Sequence, residues 1–370
     1  MSSKFIIIII MSAHTRPLLD IGLPHTTPQT AVLSRLHPPT TRDRHNVVGP
    51  PGSWSPNTPF RVASWPPLEN LYSPAVVSSA SYMSCPLPLQ LTNPESYGKQ
   101  KLYFKPKRYN LADVVKGNIY AGFDRHNSEV FAYFLAMVLN FKWIPPSTIR
   151  KIHVNKDIFP LATNCTSKSG SVCIFGKCFY CKMNETVCPD HNGEIEGAAI
   201  LYLDKQFKIH KSPWRRSYNT KKMEWEKDND FCKKLSKTMD LKRILNLVDI
   251  SIFDFLIQNG DRHRYEMYKD KILLIDNGKG LGNPSVDELD ILAPLYQCCM
   301  LPASTWQQLE MLSGGSLTET IKLLSFLQSE QLATEEHFRA VERRLLKIYA
   351  TVQYCIGKHG SAKVFKNKII

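Results

Sequence analysis

The chain has 370 residues, 43% of them hydrophobic, so its length allows one large domain or two moderate ones with a buried core. Its formal net charge of +14 favours acidic polymers or phosphates as partners, although a solvated basic surface would also account for it. Lys and Arg are spread along the chain and no segment resembles a nucleic-acid-binding module, which argues against a nucleic-acid partner.

The N-terminus begins with a short apolar run. Lys4 precedes Phe5–Met11, which contains five isoleucines, and Ser12 and Ala13 follow. The pattern is that of a minimal signal-peptide hydrophobic region or of a gene-model artefact, and it is too short to span a membrane. Residues 14–95 are rich in Pro, Ser and Thr without periodicity, so residues 1–95 are predicted to be a short apolar segment and a disordered stem.

Helix and strand patterns follow the stem. A strand is predicted over Lys101–Lys105, a helix over Arg125–Asn140, a buried strand over residues 196–203 and an amphipathic helix over Leu241–Ile257. Helical patterns dominate from Pro302 to about His359. This order, in which strands and one helix come first and helices dominate afterwards, indicates an α+β fold with two lobes.

Two aspartates fifteen residues apart are the strongest functional signal. Asp261 follows an Asn-Gly turn at the end of the second helix, and Asp276 follows a short apolar strand and precedes another such turn. Protein kinases space two aspartates similarly: one deprotonates the acceptor hydroxyl and the other holds the divalent metal. On spacing alone, two surface turns rich in Asp and Gly explain the pattern equally well.

Two further segments carry candidate groups. Asp124 is predicted at the start of the first helix, where it is either a helix cap or part of a metal or phosphate site. Glu129 is more than a turn further on and could reach a lysine on a neighbouring strand. Lys105 lies in an apolar strand, where it is either an edge lysine or a lysine that contacts nucleotide phosphate.

Cysteines are numerous, ten in all, and four of them lie close together from Cys173 to Cys188. Their irregular spacing leaves both zinc binding and disulfide formation open. Two glycosylation sequons, at Asn164 and Asn184, lie in or beside this cluster and favour an oxidising compartment, and with it disulfides.

Taken together, these segments resemble the family of secretory-pathway kinases that includes the Golgi casein kinase and glycosaminoglycan xylosylkinase. The matching motifs occur in the family's order from about residue 100 to residue 365: Phe104–Arg108, Asp124–Glu129, Phe175–Cys181, Glu196–Gly197, Pro213–Tyr218, Asn259–Glu266, Asp276–Gly278 and Leu292–Cys299. The resemblance implies a two-lobed atypical protein-kinase-like fold stapled by disulfides. The catalytic domain would cover residues 96–365, with a β-rich small lobe and a cysteine-rich insertion over 96–200 and a helical large lobe over 201–365.

The resemblance also implies roles for the candidate residues. Asp261 would be the catalytic base, Asp124 and Asp276 would bind manganese, with magnesium as the alternative, and Lys105 would contact the phosphates of ATP. The remaining nucleotide contacts would come from the hinge and from one acidic residue: Ile200, Leu201, Tyr202, Leu203 and Glu266. The family's arrangement departs from ordinary kinases, since no Arg precedes Asp261 as in the H-R-D triplet.

Within the family, Tyr120–Asp124, Gly282–Ser285 and Leu292–Tyr296 look most like the xylosylkinase branch. That branch phosphorylates the 2-hydroxyl of xylose in the glycan linkage region of proteoglycans. Alternatives are a secreted-protein serine kinase and a catalytically inactive regulatory partner of a related kinase. The implied location is the Golgi lumen, or outside the cell after secretion.

Two consequences of the resemblance concern the covalent structure and the small lobe. The implied disulfides are Cys173–Cys188, Cys178–Cys181, Cys232–Cys298 and Cys299–Cys355. The family's first strand and glycine-containing phosphate loop are not recognisable before Phe104. The small lobe is therefore expected to be incomplete or built differently. Leu87–Ser96 is a candidate for one of its strands.

Overall fold

The structure is a computed structural model that describes residues 7–12, 88–90, 99–158, 173, 186–203, 207–218, 221–326 and 331–367. The chain divides into two compact units, and all of these residues belong to the unit formed by Met1–His14 and Tyr82–Ile370; the other unit is Thr15–Ser81. Most of the predicted stem therefore lies outside the described residues, as do four predicted modification sites: Asn164, Asn184, Cys178 and Cys181.

The small lobe is built on a five-stranded sheet with one helix. Its elements in chain order are β1 (Ile7–Ser12), β2 (Pro88–Gln90), β3 (Lys99–Pro106), α1 (His126–Val138), β4 (Ser147–His153) and β5 (Glu194–Leu201). The strand order is β2-β1-β3-β5-β4. Strand β3 pairs antiparallel with β5, which places Lys105 opposite Ala198. Helix α1 packs against β4 and β5 through side chains that are fully buried, among them Val130, Phe131 and Leu135.

The N-terminal isoleucine run is described as a strand. It forms β1, which pairs antiparallel with β3 so that Ile7 lies opposite Phe104, and parallel with β2. Isoleucine is β-branched and favours strands, and β3 offers a strand edge for pairing. Distant parts of the sequence thus complete the sheet, and the candidate strand at Leu87–Ser96 is described as Pro88–Gln90.

The large lobe is mainly helical. Its elements are β6 (Lys208–Lys211), α2 (Phe231–Leu235), α3 (Leu241–Ile257), β7 (Arg264–Tyr268), β8 (Lys271–Leu273), α4 (Ala293–Cys298), β9 (Leu301–Pro302), α5 (Ala303–Met311), α6 (Ser316–Ser325), α7 (Glu335–His359), α8 (Ser361–Val364) and β10 (Phe365–Lys366). Helix α3 has the predicted bounds and is capped by Asp240, whose carboxylate accepts a hydrogen bond from the backbone N–H of Arg243 at 2.8 Å. Of the described helices, none is both long and apolar enough to cross a membrane.

The core of the large lobe forms around α3. Phe253, Phe255 and Leu256 are fully buried, and α3 contacts α1, α4 and α7. A three-stranded antiparallel sheet, in the order β6-β7-β8, lies beside the N-terminal half of α3, where Arg243 donates to the Tyr265 hydroxyl at 2.9 Å, and it leads the chain to Asp276. The two-lobed α+β fold class predicted from the sequence is confirmed.

Disulfides fix the short helix α4 at its C-terminal end. Cys232–Cys298 ties α4 to α2, and Cys299–Cys355 ties the next residue to α7. Cys173–Cys188 closes a loop before β5. These are three of the four pairs that the resemblance implies, and Cys173 and Cys188, the two clustered cysteines that the structure describes, are joined by a disulfide. Each such bond stabilises a fold by about 2–4 kcal/mol.

Candidate active site

One buried lysine joins carboxylates from three segments of the chain. Lys105 is 4% exposed, and its Nζ donates to Asp124 Oδ2 at 2.9 Å, Glu129 Oε1 at 2.6 Å and Asp276 Oδ1 at 2.9 Å. Burial alone would lower the pKa of Lys105, but the charges of Asp124 and Glu129 outweigh it and raise that pKa above its usual value. The structure thus brings together Lys105, Asp124 and Asp276, and adds Glu129 to them.

Asp124 is not a helix cap. The N-cap of α1 is Arg125, which makes no side-chain cap hydrogen bond and whose backbone N–H donates to the carbonyl of Gly278 at 2.6 Å. Asp124 packs directly on Gly278, and a side chain there would displace it, because a Cβ added at Gly278 would lie 2.6 Å from the Cβ of Asp124. The capping interpretation is wrong since the carboxylate is directed at two ammonium groups, those of Lys105 and Lys279, the latter at 3.6 Å.

Asp276 is held by its backbone as well as by its carboxylate. It follows β8 with φ of +65°, in the left-handed region that Asp tolerates better than most residues. Its neighbour Asn277 is 1% exposed and donates to Glu129 Oε2 at 3.3 Å, while the Asn277 carbonyl accepts from Ser128 Oγ at 2.7 Å. These bonds attach the segment after β8 to helix α1, so Glu129 and Asp276 are positioned relative to each other.

The three carboxylates have the composition of a site for a hard divalent cation. Ligand oxygens of Asp124, Glu129 and Asp276 lie within 4.8 Å of one another. Carboxylate oxygen is the ligand type that Mg²⁺ and Mn²⁺ prefer, so the donor set fits either ion. Glu129 was expected from the sequence only as a partner of the lysine, because its distance from Asp276 depends on the tertiary fold.

Asp261 lies in a network of polar side chains. Its Oδ1 accepts a short hydrogen bond from the Tyr218 hydroxyl, and His263 Nδ1 lies 2.9 Å from that hydroxyl and 3.7 Å from Oδ1. Burial would raise the pKa of Asp261, but the hydrogen bonds from His263 and Tyr218 together lower it below its usual value. Sequence reasoning assigned no role to Tyr218 or His263, although Tyr218 closes one of the quoted family motifs.

Arg262 fixes the loop that carries Asp261. Its guanidinium binds Asp254 of α3 through two bonds, of 2.5 and 2.8 Å, and donates to the Ile275 carbonyl and to Asn277 Oδ1, both at 2.8 Å. Both members of the ion pair are nearly buried. The loop is therefore connected to α3 and to the segment of Asp276, although no Arg precedes Asp261.

The predicted adenine contacts lie at the end of the small-lobe sheet. Ile200 and Leu201 end β5, and Tyr202 and Leu203 follow it; the Tyr202 ring lies 5.0 Å from that of Tyr103. The fifth predicted contact, in the large lobe, is Glu266 of β7, which pairs with Leu273 of β8. All five residues stay predicted nucleotide contacts.

A groove of about 480 Å³ opens beside the Asp261 network, with Tyr218 in its wall. The ring of Tyr120 meets that of Tyr218 edge to face at 4.7 Å, so the wall is partly aromatic. Charged groups of both signs complete the lining: Arg216, Lys221, Lys222, Glu226 and Glu288.

Comparison with known proteins assigns a family to this arrangement. Residues 89–364 match the family described as "Golgi casein kinase, C-terminal, Fam20". A glycosaminoglycan xylosylkinase homolog of Drosophila melanogaster is 41% identical over 331 residues, which cover 82% of this chain and 78% of that protein. Glycosaminoglycan xylosylkinase of Homo sapiens is 39% identical over 281 residues, covering 71% of this chain and 68% of that protein.

Solved structures give the same result. The structure of hydra Fam20 with sugar has a TM-score of 0.70 at 34% sequence identity, and the match covers 76% of this chain and 84% of that one. The crystal structure of the Golgi casein kinase with Mn/ADP bound has a TM-score of 0.67 at 28% identity, covering 73% and 72% of the two chains.

Proposed function

This chain belongs to the Fam20 family, and on that premise we propose that it is an ATP-dependent phosphotransferase that phosphorylates the 2-hydroxyl of xylose in the glycan linkage region of proteoglycans. The observation that carries the proposal is the joining of Lys105 to Asp124, Glu129 and Asp276, next to a separately held Asp261. The relatives named xylosylkinase support xylose as the acceptor. The disulfides support the Golgi lumen, or secretion from it, as the location.

Each group then has one task at the nucleotide. Asp124 and Asp276 would hold manganese, or magnesium as the alternative, while Glu129 would hold the Lys105 ammonium at the phosphates. When bound, the ion neutralises the charge of the phosphates during transfer. Adenine would lie against the predicted hinge, Ile200, Leu201, Tyr202 and Leu203, and Glu266 would also lie at the nucleotide. The Mn/ADP-bound Golgi casein kinase supports nucleotide and manganese as ligands of the family.

Asp261 would accept the proton of the acceptor hydroxyl. A general base must be ionised at the working pH, and the lowered pKa of Asp261 satisfies that condition. Tyr218 and His263 fix the carboxylate from one side. The groove beside Tyr218 is large enough for a sugar, and aromatic rings such as those of Tyr120 and Tyr218 suit the apolar face of a pyranose.

Replacing Tyr218 with Phe is expected to move the acid limb of the kcat/KM profile to higher pH. The Tyr218 hydroxyl donates to the ionised form of Asp261, so its removal disfavours the carboxylate and raises the pKa of Asp261. The profile of kcat/KM reports the free enzyme's base. Tyr354→Phe, at an exposed tyrosine on α7, is the control. An acid limb that stays in place would show that Asp261 is not the group being titrated.

The acceptor is tested by mixing the protein with manganese, labelled ATP, and either a xylose–galactose acceptor or casein. We expect label on the sugar, none on casein, and none on either with Asp261→Asn. Label on casein alone would indicate a serine kinase. Binding of nucleotide without transfer to either acceptor would indicate the inactive regulatory partner, for which a family-member kinase would be sought as the binding partner.

A further inference from the structure

The position between the three carboxylates is already occupied by a cation. The Lys105 ammonium is within 2.9 Å of an oxygen from each of Asp124, Glu129 and Asp276, and the ligand oxygens of these residues lie within 4.8 Å of one another. A divalent ion held by Asp124 and Asp276 would need the same space, because the ammonium lies 2.9 Å from an oxygen of each. An ammonium and a divalent ion cannot share it, because they would repel each other at close range.

We propose that Lys105 occupies the metal position and leaves it only when nucleotide phosphates replace the carboxylates as partners of its ammonium. Lys105 then has a second role besides holding phosphate: it makes metal binding depend on nucleotide binding. This inference rests on the proposed function, from which the ligand assignments come. It predicts that each of the two ligands binds weakly alone and tightly with the other, since such coupling is reciprocal.

The exposure of the carboxylates indicates how the ammonium would move. Glu129 is almost fully buried, with a side chain 2% exposed, and Asn277 donates to its other oxygen. The side chains of Asp124 and Asp276 are 12% and 28% exposed, so they face the open side of the cluster. Lysine has a long flexible stem. Its ammonium can keep the 2.6 Å bond to Glu129 while it exchanges Asp124 and Asp276 for phosphate oxygens.

Lys279 provides a comparison within the same cluster. Its side chain is also buried, at 4% exposure, but its Nζ lies 3.6 Å from Asp124 Oδ1, the oxygen that does not bind Lys105, and it donates to the carbonyl of Gly122. Lys279 therefore brings the same charge to Asp124 from outside the three carboxylates. Removing Lys279 changes the local charge without opening the central position.

The test is to measure the affinity of Mn²⁺ by paramagnetic resonance or calorimetry, with and without ADP, for the wild type and for Lys105→Met and Lys279→Met. In the wild type, ADP should tighten Mn²⁺ binding by about tenfold or more. Lys105→Met should bind Mn²⁺ alone about tenfold more tightly than the wild type, and ADP should add little. Lys279→Met should show a clearly smaller gain and should keep the dependence on ADP.

The inference is overturned if ADP leaves the affinity of wild-type Mn²⁺ binding unchanged, or if Lys105→Met shows no gain. An equal gain in Lys279→Met would also overturn it, because net charge would then explain the effect. Thermal melting establishes whether each variant folds, and if Lys105→Met does not, Lys105→Gln takes its place with the same expected gain. No acceptor enters these measurements, so failure to phosphorylate xylose would refute the proposed function without altering this result.

Discussion

Replacing Asp261 with Asn is expected to lower kcat by about 10²- to 10⁴-fold, because an amide cannot accept the proton of the acceptor hydroxyl. The change is nearly isosteric, and Asp261 Oδ1 is held by the Tyr218 hydroxyl, which an amide oxygen can also accept from. The fold and the nucleotide site should therefore persist. Turnover of labelled ATP onto the acceptor measures the loss, and calorimetry with Mn²⁺ and ADP measures the binding that remains.

The matched control is Asp270→Asn, the same substitution at an exposed residue between β7 and β8, where the carboxylate lies 3.5 Å from Lys242. It should leave kcat unchanged. If Asp261→Asn retained near-normal kcat, Asp261 would lose its role as the base, and the polar network around it would have to be explained as a structural feature of the loop.

Replacing Arg262 with Met should lower the free energy of unfolding by about 3–5 kcal/mol, since it leaves the carboxylate of Asp254 buried without its partner. The pair is nearly buried on both sides and is bidentate. The variant also loses the bonds to the Ile275 carbonyl and to Asn277, so the loop of Asp261 loses its attachment to the segment of Asp276. Denaturant unfolding with the disulfides intact gives the stability.

The double variant Asp254→Asn with Arg262→Met separates the two contributions. It removes the uncompensated charge, so it should recover part of the stability lost by Arg262→Met alone. It should not recover the activity, because the loop still lacks its bonds to Ile275 and Asn277. A double variant as unstable as the single one would show that the ion pair is not what stabilises this part of the fold.

The sequence by itself determined those features that depend on local pattern. Helix α3 was predicted with its observed bounds because its apolar residues repeat at helical spacing. The family and the α+β class were predicted from the order of motifs along the chain, which include Lys105, Asp124, Asp261 and Asp276. The pairing of Cys232 with Cys298 and of Cys299 with Cys355 was implied by that resemblance.

Only the tertiary structure decided which of these groups meet. Lys105 and Asp276 are 171 residues apart, and their 2.9 Å contact exists because β3 and the segment after β8 meet beside Glu129 of α1, which binds both Lys105 and Asn277. No local pattern contains such a distance, which is why the cap interpretation of Asp124 was wrong and why Arg262, Tyr218 and His263 were not assigned roles. The pairing of the isoleucine run at the N-terminus is a second example: its hydrophobicity specifies no partner strand, and the open edge of β3 supplies one.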